Sequence, residues 1–246
     1  RERQRADAGD FILAWLRCVV ASGAPSLAVT GDWRTLRLRF FGRPFSEAEL
    51  RDPYRALLDL EAGEAVRGAQ LAYGLLAVLR FDPAGVWVLS GPPEQRVRFS
   101  LASRGGGELE APPDHGNGTL LQVTFSGLSA PWRVWQSAYR ARRRFGLCAT
   151  KLVVAGRESS DPFGAPEWQS DEQSGWRVAW RPRPGEAASR VRVYHLGALA
   201  EEFEQPIGAG PQKDVAMTHP GLRLSLSQAS VVRAASFARG LRLLER

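Results

Sequence analysis

The chain has 246 residues, 44% of them apolar, enough to bury a substantial core in one large domain or two modest ones. Its net charge of +7 comes almost entirely from arginine, since Lys151 and Lys213 are the only lysines, and it favours polyanionic partners. The two cysteines, Cys18 and Cys148, exclude a disulfide framework and a thiolate metal site, and no apolar run approaches the roughly 20 residues of a membrane-spanning helix.

In residues 10–22, Phe11, Trp15, Leu16, Val19 and Val20 recur at helical spacing behind Asp10, a side chain able to cap the first free amides. A short strand is expected at 26–29. A second, at 35–41, alternates Leu36, Leu38 and Phe40 with Arg37 and Arg39 as a half-buried strand does. Ser46 and Glu49 have the spacing of a capping box, which predicts a short helix reaching about residue 58. Residues 65–79 form the next helix, with Ala69, Ala72, Tyr73, Leu76 and Leu79 on one side.

The period then changes to two. Strands are expected at 86–89, 95–101 and 119–125, and because they follow one another directly, an antiparallel sheet with helices on one face is favoured. Residues 126–131 read as a boundary, which divides the chain into domains 1–128 and 129–246. The second domain opens with a helix at 132–145, continues with strands at 150–154, 177–180, 191–196, 199–203 and 222–226, and closes with a helix at 230–244. The polar segments 156–173 and 182–188, rich in Gly, Pro and Ser, read as mobile loops.

Several chemistries lack their residues. His115, His195 and His219 do not have the spacing of a metal motif, and neither lysine follows the glycine pattern of a Walker loop. No Gly-x-Ser-x-Gly elbow stands between a strand and a helix. Glu61 and Glu64 are carboxylates ahead of a helix, an ordinary solvent-facing position. The polar start, residues 1–10, lacks the form of a signal peptide, and two cysteines without a disulfide framework fit a reducing cytoplasm, the expected setting.

Four segments taken in order, 10–22, 35–41, 68–79 and the tetrad Gly116, Asn117, Gly118, Thr119, resemble the nucleotide-handling motifs of the GHKL ATPases. That superfamily comprises gyrases, heat-shock chaperones, histidine kinases and MutL proteins. The segments 191–202 and 214–232 resemble the middle domain of the ninety-kilodalton heat-shock chaperones. Residues 142–157, with the strand at 151–154, resemble the start of the family's transducer domain. The resemblance implies a two-layer α+β sandwich of Bergerat type with a mainly antiparallel sheet, followed by a smaller α/β domain.

It also implies that the catalytic residues are gone. Ala14 stands at the family's general-base position and Cys18 at that of the magnesium-binding asparagine, and neither suits the task. Phe40, Phe41, Gly42, Arg43 and Pro44 replace the adenine-reading aspartate motif, so only Gly42 is kept. Gly68 to Leu76 matches the phosphate loop with Gly74 retained, but Leu71 and Tyr73 stand where small residues would be needed. Gly118 and Thr119 complete a remnant of the pocket. Ser227 is followed by Gln228 where those chaperones carry an arginine for the terminal phosphate.

The expectation is therefore a catalytically inactive, chaperone-like module that binds a protein partner or client, with no cofactor and no membrane. ATP and magnesium would enter only if the remnant still forms a pocket. Two alternatives stay open: a divergent GHKL ATPase that still binds ATP, and a basic nucleic-acid-associated protein using Arg140, Arg142, Arg143 and Arg144 beside Arg133, Trp132 and Trp135. Arginines in a helix's last turn ordinarily face solvent and the negative end of the dipole. Trp168 and Trp176, with Phe163, lie in or beside a polar loop and are a candidate partner patch.

Overall fold

A computed structural model describes residues 11–58, 65–102, 116–159, 161, 163–208, 210–225, 228, 230–233 and 235–242. The chain is a mixed α/β protein with two mostly antiparallel sheets, divided into two compact units. The first unit comprises residues 1–144 and 149–159, the second residues 145–148 and 160–246.

The first unit opens on α1 (Phe11–Ala21), and its expected cap, Asp10, lies outside the described residues. Every residue from Phe11 to Val19 is buried, far beyond the one-sided face its spacing suggests, because α1 packs on both α3 (Ala65–Leu79) and α4 (Ala130–Arg144). A helix enclosed on all sides has no solvent face to keep polar. Gly23, at φ +68°, ends it in the left-handed region that glycine enters at little cost.

The strands β1 (Ser26–Gly31), β2 (Thr35–Phe40), β3 (Gly85–Ser90), β4 (Val97–Ala102), β5 (Thr119–Thr124), β6 (Lys151–Val154) and β7 (Arg157–Ser159) form one sheet in the order β4-β3-β5-β2-β1-β6-β7. All its pairings are antiparallel except β1 with β6. Opposite residues sort the two faces: Leu38, Leu121 and Val88 share one register row and are buried. One residue along, Arg37, Gln122 and Trp87 share the opposite face, where Arg37 Nε donates to Gln122 Oε1 at 2.8 Å. The alternation of Leu36, Leu38 and Phe40 with Arg37 and Arg39 therefore reads correctly as a half-buried strand.

Ser46 and Glu49 do form a capping box, opening α2 (Glu47–Arg51), although regular helix stops there and only a single tight turn follows at Arg55–Leu57. The helix and strand expected at 132–145 and 150–154, and assigned to a second domain with a transducer-like start, are α4 and β6 (Lys151–Val154) and belong to the first unit instead. Burial of Ala130, Val134, Ser137 and Ala141 seats α4 against β1, β2 and β6, and β6 extends the first sheet beside β1.

In the second unit β8 (Gln169–Gln173), β9 (Trp176–Pro182), β10 (Ser189–His195), β11 (Ala198–Gln205) and β12 (Lys213–Thr218) form a sheet ordered β11-β10-β12-β9-β8. Both faces are covered. Trp176, Val178, Val191, Val193, Val215 and Met217 pack on one side with Phe237 of α5 (Ala235–Arg242), and Ala179, Tyr194 and Ala216 pack on the other with Leu147 and Phe163. The expected strand at 222–226 is absent over residues 222–225, where the one β-type pairing is the isolated bridge between Leu224 and Val231. Segment 156–173, read as a mobile loop, contains β7 and β8. No helix among the described residues is long and apolar enough to cross a membrane.

Candidate functional site

The positions that the GHKL resemblance singles out are packing positions. Ala14 and Cys18 are buried on α1, and the Trp15 indole between them in sequence lies against α3. A Cβ on Gly74 would stand only 2.1 Å from Trp15 Cδ1 and 2.2 Å from its Nε1. Gly74 is thus the notch in which the indole sits, inside a continuous helix. Its backbone amide belongs to that helix interior and not to an exposed N-terminus, where free amides could hold a phosphate.

Gly42 serves a similar end. There the chain leaving β2 passes the end of α1, where a Cβ would meet Ser22 O at 2.6 Å and where Arg43 N–H donates to that same oxygen at 2.8 Å. The Gly-Thr tetrad is fastened internally. Gly118 has φ +101° and its carbonyl accepts from Arg96 Nη1 at 2.8 Å, while Arg96 also holds the carbonyls of Gly91 and Gly116. The Thr119 hydroxyl is buried at 2.8 Å from that of Ser90, and Ser90 Oγ also accepts from Phe45 N–H at 2.8 Å. This loop turns carbonyls onto a cation of its own.

Sequence reasoning missed the group that ties these pieces together. Arg67, buried on α3, pairs with Glu49 of α2 and donates from Nη1 to the carbonyls of Arg43 and Pro44 at 2.8 and 3.2 Å. Its guanidinium carbon lies 4.3 Å from the centroid of the Phe45 ring. A signal was present: Arg67 shares the buried stripe of Leu71, Leu75 and Val78, so an arginine occupies a core position and needs a carboxylate there. Burial alone would raise the Glu49 pKa, but hydrogen bonds from Ser46 N–H, Arg67 and the Ser46 hydroxyl, with the Arg67 charge, hold it below the ordinary carboxylate value.

Cys18 lies within reach of the same charges. Burial pushes its thiol up to about 12, against smaller opposing effects of Arg67 and the Ser22 hydroxyl. A neutral thiol away from water is a poor nucleophile and a poor ligand for magnesium. Thiol titration of the folded protein with a water-soluble disulfide reagent should therefore modify half-buried Cys148 first and leave Cys18 protected until denaturant is added. Equal rates for the two would contradict the burial described here. Because its folded pKa lies above the ordinary value near 9, the stability tied to the Cys18 thiol is complete below pH 9 and declines as the pH rises toward 12.

The candidate partner residues divide differently than expected. Trp176 is 2% exposed and cannot belong to a surface patch: it lies in the second unit's core, with its ring centroid 4.8 Å from that of His219. Trp168 is half-buried, edge-on to Phe163 at 4.9 Å, and is roofed by the Arg181 guanidinium at 5.1 Å. These aromatics fold back as anchors because β8 and β9 form a hairpin over which the loop closes. Arg142, Arg143 and Arg144 are exposed in the last turn of α4, and Arg140 is half-buried. His115, Glu61, Glu64 and Ser227 lie outside the described residues. Among the described residues, no group of three or more His, Cys, Asp or Glu could hold a metal ion.

A scan against protein-family models matches none of them, and a search of curated proteins finds no match to the chain.

Proposed function

We propose that the chain is a catalytically inactive, chaperone-like GHKL module that works as a protein-binding scaffold. One observation carries the reading: the residues aligned with nucleotide handling serve internal packing. Ala14 and Cys18 are core, Gly74 receives Trp15, and Arg67 with Glu49 places a matched ion pair close enough to Cys18 for both charges to act on it. Reopening such a region to a triphosphate would require displacing a buried indole, at a cost of several kcal/mol, and separating buried Arg67 from its half-buried carboxylate partner. With catalysis lost, what such a fold still offers is its surface.

Calorimetric titration of the intact chain with ATP and ADP, with and without magnesium, tests the proposal. The expected result is no binding at millimolar nucleotide. Magnesium-dependent ATP turnover that disappears on substituting Thr119 or Gly118 would sink it and establish a divergent ATPase.

A further inference from the structure

The outer side of α4 carries Trp132, Trp135 and Tyr139, which remain 60, 54 and 48% exposed. Aromatic side chains this large are costly to leave in water. They stand at three-four spacing, the repeat by which a helix presents a seam to another helix. The Trp132 and Trp135 rings stack at 4.8 Å and 28°, the Trp135 and Tyr139 rings at 5.4 Å and 15°, and Arg143 covers the far end at 5.9 Å from the Tyr139 centroid. Leu128, fully exposed, stands in the turn just before the helix. The opposite side of α4 is buried against the sheet, so the ridge is held on a fixed element.

Its charge is one-sided. Arg133, Arg140, Arg142, Arg143 and Arg144 are the only charged residues of α4, and none is acidic. The stacking decides between polyanions. Nucleic-acid bases bind by covering free ring faces, but Trp135 is stacked between Trp132 and Tyr139, and Tyr139 between Trp135 and Arg143, so these two rings turn their edges outward. Ring edges and the grooves between them suit branched aliphatic side chains. A second copy of the chain is a poor occupant, since pairing α4 with itself would set one arginine-only helix against another.

We infer that the ridge of Trp132, Trp135 and Tyr139 docks an acidic amphipathic helix of a partner protein. Apolar side chains at three-four spacing seat between the ring edges, and carboxylates meet Arg142, Arg143 and Arg144. The inference rests on the protein-binding reading above and gives that reading a site and a partner chemistry.

The probe is a synthetic helical peptide of three heptads, with leucine at the seam positions and glutamate flanking them, titrated into the full chain by calorimetry. The expected result is saturable binding that weakens with salt and falls by about thirtyfold in Trp135→Ala, the loss typical of a central aromatic anchor. Trp135 is exposed, so that variant should keep its circular dichroism and melting temperature. A second variant, Arg142→Glu with Arg143→Glu, should lose the acidic peptide and gain the lysine-flanked version.

Absence of binding at millimolar peptide, or binding indifferent to Trp135→Ala, overturns the inference. So does tighter, Trp135-dependent binding of a thymidine 20-mer, which would assign the face to single-stranded nucleic acid, and so does Trp135-dependent dimerisation without peptide. ATP turnover by the same preparation would refute the scaffold reading while leaving the peptide result intact, so the two failures are separable.

Discussion

Replacing Arg67 by alanine is expected to destabilise the first unit by about 3 kcal/mol, lowering its melting temperature by roughly 10 °C. The substitution removes a guanidinium whose side chain is 4% exposed and leaves Glu49, itself about one-third exposed, without its cation. The carbonyls of Arg43 and Pro44 lose a donor and the Phe45 ring loses the cation over it. Because the damage is an uncompensated carboxylate more than a cavity, Arg67→Met with Glu49→Gln should recover much of the loss. Thermal denaturation of the two singles and the double measures the coupling, and additive losses would show that the pair is not the unit proposed.

The acid side of the same region has a defined sign. The Glu49 carboxyl is held below its ordinary value near 4.5, so the stability it contributes is complete above that value and is lost as the pH falls through the lowered folded pKa. Asp32 behaves alike: burial would raise its pKa, but the backbone N–H groups of Arg34 and Thr35 and the Arg37 side chain more than offset it. Arg67→Ala should therefore flatten the acid limb of the stability curve as well as lower its plateau.

Trp176→Ala is expected to cost the second unit about 4 kcal/mol, a large share of the 5–15 kcal/mol typical of a domain. The indole packs against His219 and Phe237 and within the apolar layer of Val178, Val191, Val193, Val215 and Met217. It also lies on α5 at Gly240, where a Cβ would come within 2.6–2.8 Å of three ring atoms. Hydrogen exchange should show protection collapsing through β9, β10 and β12 while β2, β3 and β5 keep theirs. Uniform loss across both units would mean that they unfold as one.

How far the sequence discloses these features depends on what sets each pattern. Leu36, Leu38 and Phe40 were legible because one face of β2 is core and the other carries Arg37 and Arg39. The capping box was legible because Ser46 and Glu49 act locally. β12 was not, because Val215, Ala216 and Met217 are buried on both faces of a central strand, and an unbroken apolar run carries no period. β8 was invisible for the opposite reason: Gln169, Ser170, Asp171, Glu172 and Gln173 are all exposed on an edge, and only pairing with β9 makes them a strand.

Leu222 and Leu224 misled, since they alternate while crossing a core with almost no ladder. At the candidate site, smallness at Gly42 and Gly74 was plain in the sequence, but whether a ligand or the chain's own atoms needed the room was a matter of tertiary approach. Trp176 next to a polar loop read as surface because neighbours in sequence are polar. Its neighbours in space, from α5 and the sheet strands, are mostly apolar, with His219 packed on the indole.

The parallel pairing of β6 with β1 also governs how the molecule can be made. The strand beside residues 26–29 is supplied by residues 151–154, and in between the chain has already delivered 145–148, which belong to the other unit. During synthesis the first sheet therefore stays open at one edge, with the backbone groups of residues 26–29 unpaired on that side, until residue 154 has cleared the ribosome. By then a piece of the second unit has emerged ahead of the rest of it. No single cut in the gene separates the two units, and a fragment ending at 128 would lack both the helix that covers β1 and the strand that closes it.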